Sequence, residues 1–224
     1  MLSRYIYSTG GIGWHYATIR YRLLHRSFRK NVFDWLDNWT PRSDELILIG
    51  PSAGWFLSCR FLNKFKCITA VDIDPLAKSL FFLTHGRPAP MKWINRDITN
   101  SLSEILAQSP NAAILFCNIL GQIGVGRPDF QDFLSELTKI LAKRRWASFH
   151  DRFSTNSVLP HYKNFNAISI ERGLDAKELQ RFGFSGVWTD HGTGFLSKPS
   201  QPRKIFPWFL TPTTFHLVEA VYHD

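Results

Sequence analysis

Between Glu45 and Arg152, short apolar runs alternate with stretches of helical length, and that alternation leaves few folds open to the chain. The runs are 45–50 (ELILIG), 67–71 (CITAV), a short one within 91–99 (MKWINRDIT), 111–119 (NAAILFCNI) and 145–152 (RWASFHDR). Between them lie expected helices over 53–65, 75–84, 102–108 and 129–142. The last carries Phe130, Phe133, Leu134, Leu137 and Leu141 at helical spacing. Strands apolar throughout, each followed by a helix, predict a parallel sheet covered on both faces. The fold class is therefore α/β, with a doubly wound, mainly parallel sheet. After an expected helix over 175–182 that ends at Gly183, the rhythm breaks. The segments GVWTDHGTGFL and TTFHLVEAVYH, joined by the proline-rich stretch 198–212, read as two successive strands and predict a terminal antiparallel pair.

Upstream, residues 14–39 read as one long helix or a broken pair. Ala17, Tyr21, Leu24, Phe28, Val32, Trp35 and Trp39 recur at steps of three and four, with Arg22, Arg26, Arg29 and Lys30 opposite. STGGIGW (8–14) before it reads as a turn-forming segment, and Pro41 and Ser43 close the helix. The chain thus divides into a basic amphipathic extension, 1–43, and a main domain, 44–224. The formal charge is +9, with six Arg or Lys and no acid from Met1 to Phe33, and a second basic stretch from Lys139 to Lys163. That imbalance admits an anionic partner such as RNA without requiring one. The three cysteines (Cys59, Cys67, Cys117) form no C-x-x-C and sit in apolar runs. They read as buried free thiols in a reducing compartment, with no disulfide, no zinc site and a cytoplasmic location expected. No run approaches the ~20 apolar residues of a membrane span.

The stretch LILIGPSAGWFL (46–57) contains two patterns. Read as G-x-S-x-G, it would make Ser52 a nucleophile, but such an elbow normally follows several strands, and this is the first of the main domain. Read as a strand ending in small residues, Gly50, Ser52, Ala53 and Gly54 let backbone N–H groups approach a ligand. Asp72 closes the next strand twenty-two residues after Gly50, where a carboxylate can accept from both ribose hydroxyls. Asp74 is the alternative ribose ligand or a cap for the helix at Pro75. A dinucleotide fingerprint would need a small residue where Trp55 stands, which argues against NAD or FAD.

The order of these motifs resembles the class I S-adenosylmethionine-dependent methyltransferase superfamily, over roughly residues 44–223. The resemblance rests on LILIGPSAG, AVDIDP, NRDIT, AAILFCNILGQ, WASFHD and the closing helix, FGF and strand pair. It implies a Rossmann-like fold and S-adenosyl-L-methionine as cofactor. Gly50, Ser52, Ala53 and Gly54 would then line the methionine moiety and Asp72 the ribose. Asp97 would accept from the adenine amino group, Ile98 would lie beside the ring, and Asn118 near the methyl. Read locally, Asp97 is equally a helix cap before Thr99, and Asn118 a turn residue ahead of Gly121. Ser52 stands where the family commonly has glycine. Asn118 is not followed by the Pro-Pro-aromatic run of amino-group methylating enzymes, and there is no Pro-Cys. The acceptor is not legible; a small molecule is favoured, RNA stays open, and no metal is implied.

At the expected end of the fifth strand stand His150 and Asp151. Ligands gather at the carboxyl ends of parallel strands, so His150 is a candidate to take a proton from the acceptor, with Asp151 or Arg152 orienting it. The alternative is that His150 only caps the strand. The extension 1–43 is expected to cover or shape the acceptor cleft. A non-catalytic scaffold that retains the fold is the competing function.

Overall fold

The computed structural model describes residues 11–123, 128–158, 162, 165–170, 174–194, 196 and 202–224. Ser8–Gly10 of the expected turn and part of the proline-rich stretch lie outside them. The described helices are α1 (Gly11–Arg20), α2 (Arg26–Asn38), α3 (Cys59–Leu62), α4 (Ala77–His85), α5 (Leu102–Gln108), α6 (Leu120–Ile123), α7 (Phe130–Leu141) and α8 (Ala176–Arg181). None is long and apolar enough to cross a membrane.

Five parallel strands form the centre of the sheet: β1 (Glu45–Ile49), β2 (Cys67–Asp72), β3 (Met91–Asn95), β4 (Ala113–Cys117) and β5 (Trp146–Thr155). Their spatial order is β3-β2-β1-β4-β5. Leu46 to Ile49 are all buried, as a strand covered on both faces requires. On one face, Phe28, Val32 and Trp35 of α2, Phe61 of α3 and Phe81 of α4 form one core. On the other, Leu102 and Ile105 of α5 pack with Leu134, Leu137 and Leu141 of α7. The chain runs outward from β1 to β3 and then crosses back to β4, so the connections diverge between β1 and β4. In an open α/β sheet that divergence leaves a crevice at the carboxyl ends of the strands.

Three expectations are corrected. The terminal antiparallel region is larger than a pair. β9 (Thr214–His223) runs antiparallel to β5 and β8 (Arg203–Thr211) to β9, while β6 (Ile168–Ile170) pairs with β8. The segment GVWTDHGTGFL contributes only β7 (Thr189–Asp190), which pairs with Phe153 and Ser154. The partner of β9 comes instead from the proline-rich stretch. Pro207 sits in β8 beyond the residues 203–205 that β6 pairs, on a free edge of the described sheet, where proline is tolerated. Next, the helix expected over 53–65 shrinks to Cys59–Leu62. Gly54 has φ +71°, incompatible with a helix, and Ser58 caps a new start by accepting the Phe61 N–H. Finally, Cys59 and Cys67 are exposed and Cys117 is half-buried, although all three are free.

The N-terminal pattern resolves as a broken pair, with α1 starting at Gly11, inside the expected turn. The apolar stripe holds from Phe28 onward. In α1, however, the buried side chains include His15 and Thr18, while Leu24 in the break is 40% exposed. The break is anchored by His25, whose Nε2 donates to the Leu210 carbonyl at 3.0 Å. Trp208 of β8 is the hub beneath. It stacks on Phe28 at 4.7 Å and meets Phe56, His25 and Trp14 edge-on at 5.4 to 5.9 Å. Trp208→Ala is expected to cost about 3–5 kcal/mol, read as a lower urea midpoint. A loss below 1 kcal/mol would show that α1 and α2 are held by other contacts.

Candidate functional site

The crevice is a cleft of about 730 Å³ at the carboxyl ends of β1, β2 and β4, a size suited to a small ligand. Its floor is the loop after β1. Gly50 has φ +65°, and a Cβ there would lie 2.7 Å from Ile119 Cδ1, so any side chain would be strained and would push Ile119 aside. Ser52 (φ +51°) and Gly54 (φ +71°) repeat the left-handed turn. A Cβ on Gly54 would meet the His85 ring, whose Nε2 donates to the Gly54 carbonyl at 2.9 Å. The last turn of α4 therefore pins the loop from behind.

Asp72 ends β2 and ties the loops together. One carboxylate oxygen accepts the Ser52 N–H at 2.7 Å and the other the Asp74 N–H at 2.9 Å. Burial pushes its pKa up to about 6, and the charge of Asp74 adds to that; the two amides and His15 pull the other way. Asp74 accepts the Leu76 N–H, the Nε2–H of His15 at 2.8 Å and the Gly11 N–H. Burial works to raise its pKa, but these contacts outweigh it and hold the carboxyl below its ordinary value. The Trp55 indole N–H reaches His15 Nδ1 at 3.3 Å, so an imidazole protonated on Nε2 satisfies both partners. Through this chain α1 docks on Asp74, and its Gly11 and Trp14 line the cleft.

Most of the sequence-derived site residues converge here. Gly50, Ser52, Asp72, Asp97, Ile98 and Asn118 line the cleft; Ala53 and Gly54 are buried behind it and shape the loop. Asp97 is a cap and a cleft residue at once. It caps the single 3-10 turn Ile98–Asn100 through the Thr99 N–H at 2.9 Å, and it faces the cleft. Asn118 is likewise a left-handed turn residue (φ +52°) on the cleft wall. Its Nδ2 lies 3.5 Å from Asp151 Oδ2, and its buried Oδ1 has no partner among the described residues. The Ser52 hydroxyl is also buried and unpartnered, without the adjacent base a serine nucleophile needs.

His150 lies away from the cleft. β5 continues to Thr155, so His150 is mid-strand, paired in register with Glu219 and fully buried. Its Nδ1 is 2.9 Å from the Ser148 hydroxyl. Burial drives its pKa down to about 3, Arg152, Arg203 and His191 adding to the fall and Asp151 opposing it. Asp151 is buried too, and its Oδ1 accepts from His216 Nδ1 at 2.9 Å. Burial would raise its pKa, but His216, helped by His191 and His150, outweighs it and holds the carboxyl below its ordinary value. His216 and His15 were not legible as site residues, because each meets its partner across about sixty residues of chain: 65 for His216–Asp151 and 59 for His15–Asp74.

No family model and no curated protein sequence matches the chain. Among solved structures, it is similar to the N-methyltransferase NodS from Bradyrhizobium japonicum WM9 in complex with S-adenosyl-L-homocysteine. The identity is 13%, covering 90% of this chain and 88% of that one, with a TM-score of 0.51. It is also similar to the magnesium protoporphyrin IX methyltransferase ChlM from Synechocystis PCC 6803, at 10% identity, 99% and 89% coverage and a TM-score of 0.45. The first likeness shows the fold, a Rossmann-like α/β domain.

The raised pKa makes Asp72 a pH-dependent element of stability. The folded state holds its proton more tightly than the unfolded chain. Its favourable contribution is therefore complete below 3.8 and lost as pH rises through about 6. Asp72→Asn removes this dependence. Between pH 3 and 7, wild type is expected to lose about 3 kcal/mol relative to the variant, taking about 1.4 kcal/mol per pKa unit. Urea titrations across that window check it; a constant difference would return Asp72 to the ordinary carboxylate range.

Proposed function

We propose that the chain binds S-adenosyl-L-methionine in this cleft and transfers its methyl group to a small-molecule acceptor. The observation that carries the reading is the buried Asp72 carboxylate at the end of β2, beside a loop whose Gly50 leaves room for close backbone approach. The fold shared with NodS, crystallised with S-adenosyl-L-homocysteine, supports it. So do Ser52 and Asn118, which line the cleft and each carry a buried polar atom, the hydroxyl and Oδ1, with no partner among the described residues.

In this reading Asp72 accepts from the ribose hydroxyls, the loop Gly50–Gly54 with Ser52 and Ala53 holds the methionine moiety, Asp97 takes the adenine amino group, and Ile98 covers the ring. The bound cofactor supplies a methyl activated on a sulfonium centre. The chain's own task is then alignment and exclusion of water. Trp14, Trp55 and Phe149 wall the cleft with aromatic surface. Asn118 Oδ1 accepts an N–H or O–H of the acceptor, its amide held by Asp151, which is held in turn by His216. Asp151 thus acts as a positioning residue. His150, neutral and buried, takes no part.

Calorimetry with S-adenosyl-L-homocysteine tests the cofactor assignment. Asp72→Ala is expected to weaken binding ten- to a hundredfold, since losing hydrogen bonds to a charged acceptor costs about 1.5–3 kcal/mol. Asp74→Ala is expected to weaken it less. The reverse order would exchange the two carboxylates, and no binding to wild type would end the reading. Binding without methyl transfer to any acceptor pool would favour a scaffold that keeps the fold.

A further inference from the structure

Behind Trp55 and Phe56, which line the cleft, lies a second cavity of about 170 Å³ walled by the same two residues. Its remaining walls include Thr18 from α1, Arg22 and His25 from the break, and Arg29 from α2. Arg22 and Arg29 are exposed and make no ion pair among the described residues. Two guanidinium forks at one small cavity favour a compact oxyanion.

His25 narrows the chemistry. It is 2% exposed, its Nε2 bonds the Leu210 carbonyl, and its buried Nδ1 has no partner. A carbonyl only accepts, so the proton sits on Nε2 and Nδ1 presents a bare lone pair. Burial first, then the charge of Arg29, lowers the His25 pKa against the pull of the Leu210 carbonyl, which keeps the ring neutral. An occupant that satisfies the arginines must bring anionic oxygens, and one that also reaches Nδ1 must bring a proton. Carboxylates, sulfate and internal phosphodiesters bring only the oxygens. A phosphate monoester, with a second pKa near 6, also carries a P–OH in its monoanion.

We infer that this cavity binds a phosphate monoester group, with Arg22 and Arg29 donating to its oxygens and its P–OH donating to His25 Nδ1. Two sources share that chemistry: a soluble phosphate monoester, or the headgroup of a monoester lipid. Ile19 lines the cavity, and it is more than half exposed, as are Ile12 and Tyr16 of the same helix and Leu23 of the break, which gives a lipid surface something to meet.

The test uses the full chain, titrated by calorimetry with inorganic phosphate, glycerol 1-phosphate and sulfate. Saturable binding of both phosphates is expected, with sulfate at least tenfold weaker. Arg22→Gln with Arg29→Gln is expected to weaken phosphate at least tenfold, while Arg42→Gln, an equal charge change elsewhere, leaves it unaltered. His25→Phe, which keeps a ring but no lone pair, is expected to erase the preference for phosphate over sulfate. Vesicles of phosphatidylcholine with phosphatidate separate the sources: retention competed by glycerol 1-phosphate identifies the lipid headgroup, and no retention the soluble ester. Equal binding of sulfate and phosphate, or equal losses in the arginine pair and Arg42→Gln, would overturn the inference. So would an RNA lacking terminal phosphate that binds through Arg22 and Arg29 when inorganic phosphate does not. Binding of S-adenosyl-L-homocysteine, measured on the same variants, is expected to stay unchanged, so the phosphate site can fail while the cleft reading stands.

Discussion

Asp72 accepts one backbone amide from the loop after β1 and another from the loop after β2, and much of the cleft hangs on those two bonds. A carboxylate removed from water is costly unless its oxygens are bonded. Here the partners are the very loops that must be held apart by a fixed distance to admit a ligand. The left-handed turns at Gly50 and Ser52 are what turn the Ser52 N–H toward the carboxylate. His85 then fixes the same loop from the opposite side. Geometry that would otherwise be a mobile connection becomes part of the sheet.

The two N-terminal helices are held by different physics. α2 is bound by apolar burial: Phe28, Val32, Trp35 and Leu36 are at most 3% exposed and belong to the main core. α1 adds polar contacts to the packing of Trp14 on Trp208: the Gly11 amide and the His15 imidazole on Asp74, and the Trp55 indole on His15. Apolar contact is roughly proportional to area and indifferent to direction, whereas hydrogen bonds fix orientation. The break between the helices lets each follow its own rule.

Much of this was legible in the sequence. The central strands β1 and β4 are apolar on both faces, and such runs announce themselves. The small-residue loop and Asp72 follow from spacing within a single β-α-β unit. What was hidden depended on distant partners. Pro207 argues against a strand until β6 is seen to stop short of it. The helix after the loop looked longer because Gly54 carries a backbone angle that composition does not reveal. His150 looked like the end of a strand that in fact runs on to Thr155, because β9 continues beside it. His15 and His216 became visible only when the fold brought them to Asp74 and Asp151.

Trp14 and Trp55 both border the cleft, and the Trp55 indole N–H is committed to His15. Indole emission shifts with the polarity and hydrogen bonding of its surroundings. The molecule therefore carries its own optical reporter, with two of its eight tryptophans at the cleft and others, such as Trp39 and Trp208, buried in the core as a steady background. Filling the cleft changes the first group and leaves the second unchanged. Light alone can follow occupancy, without a label.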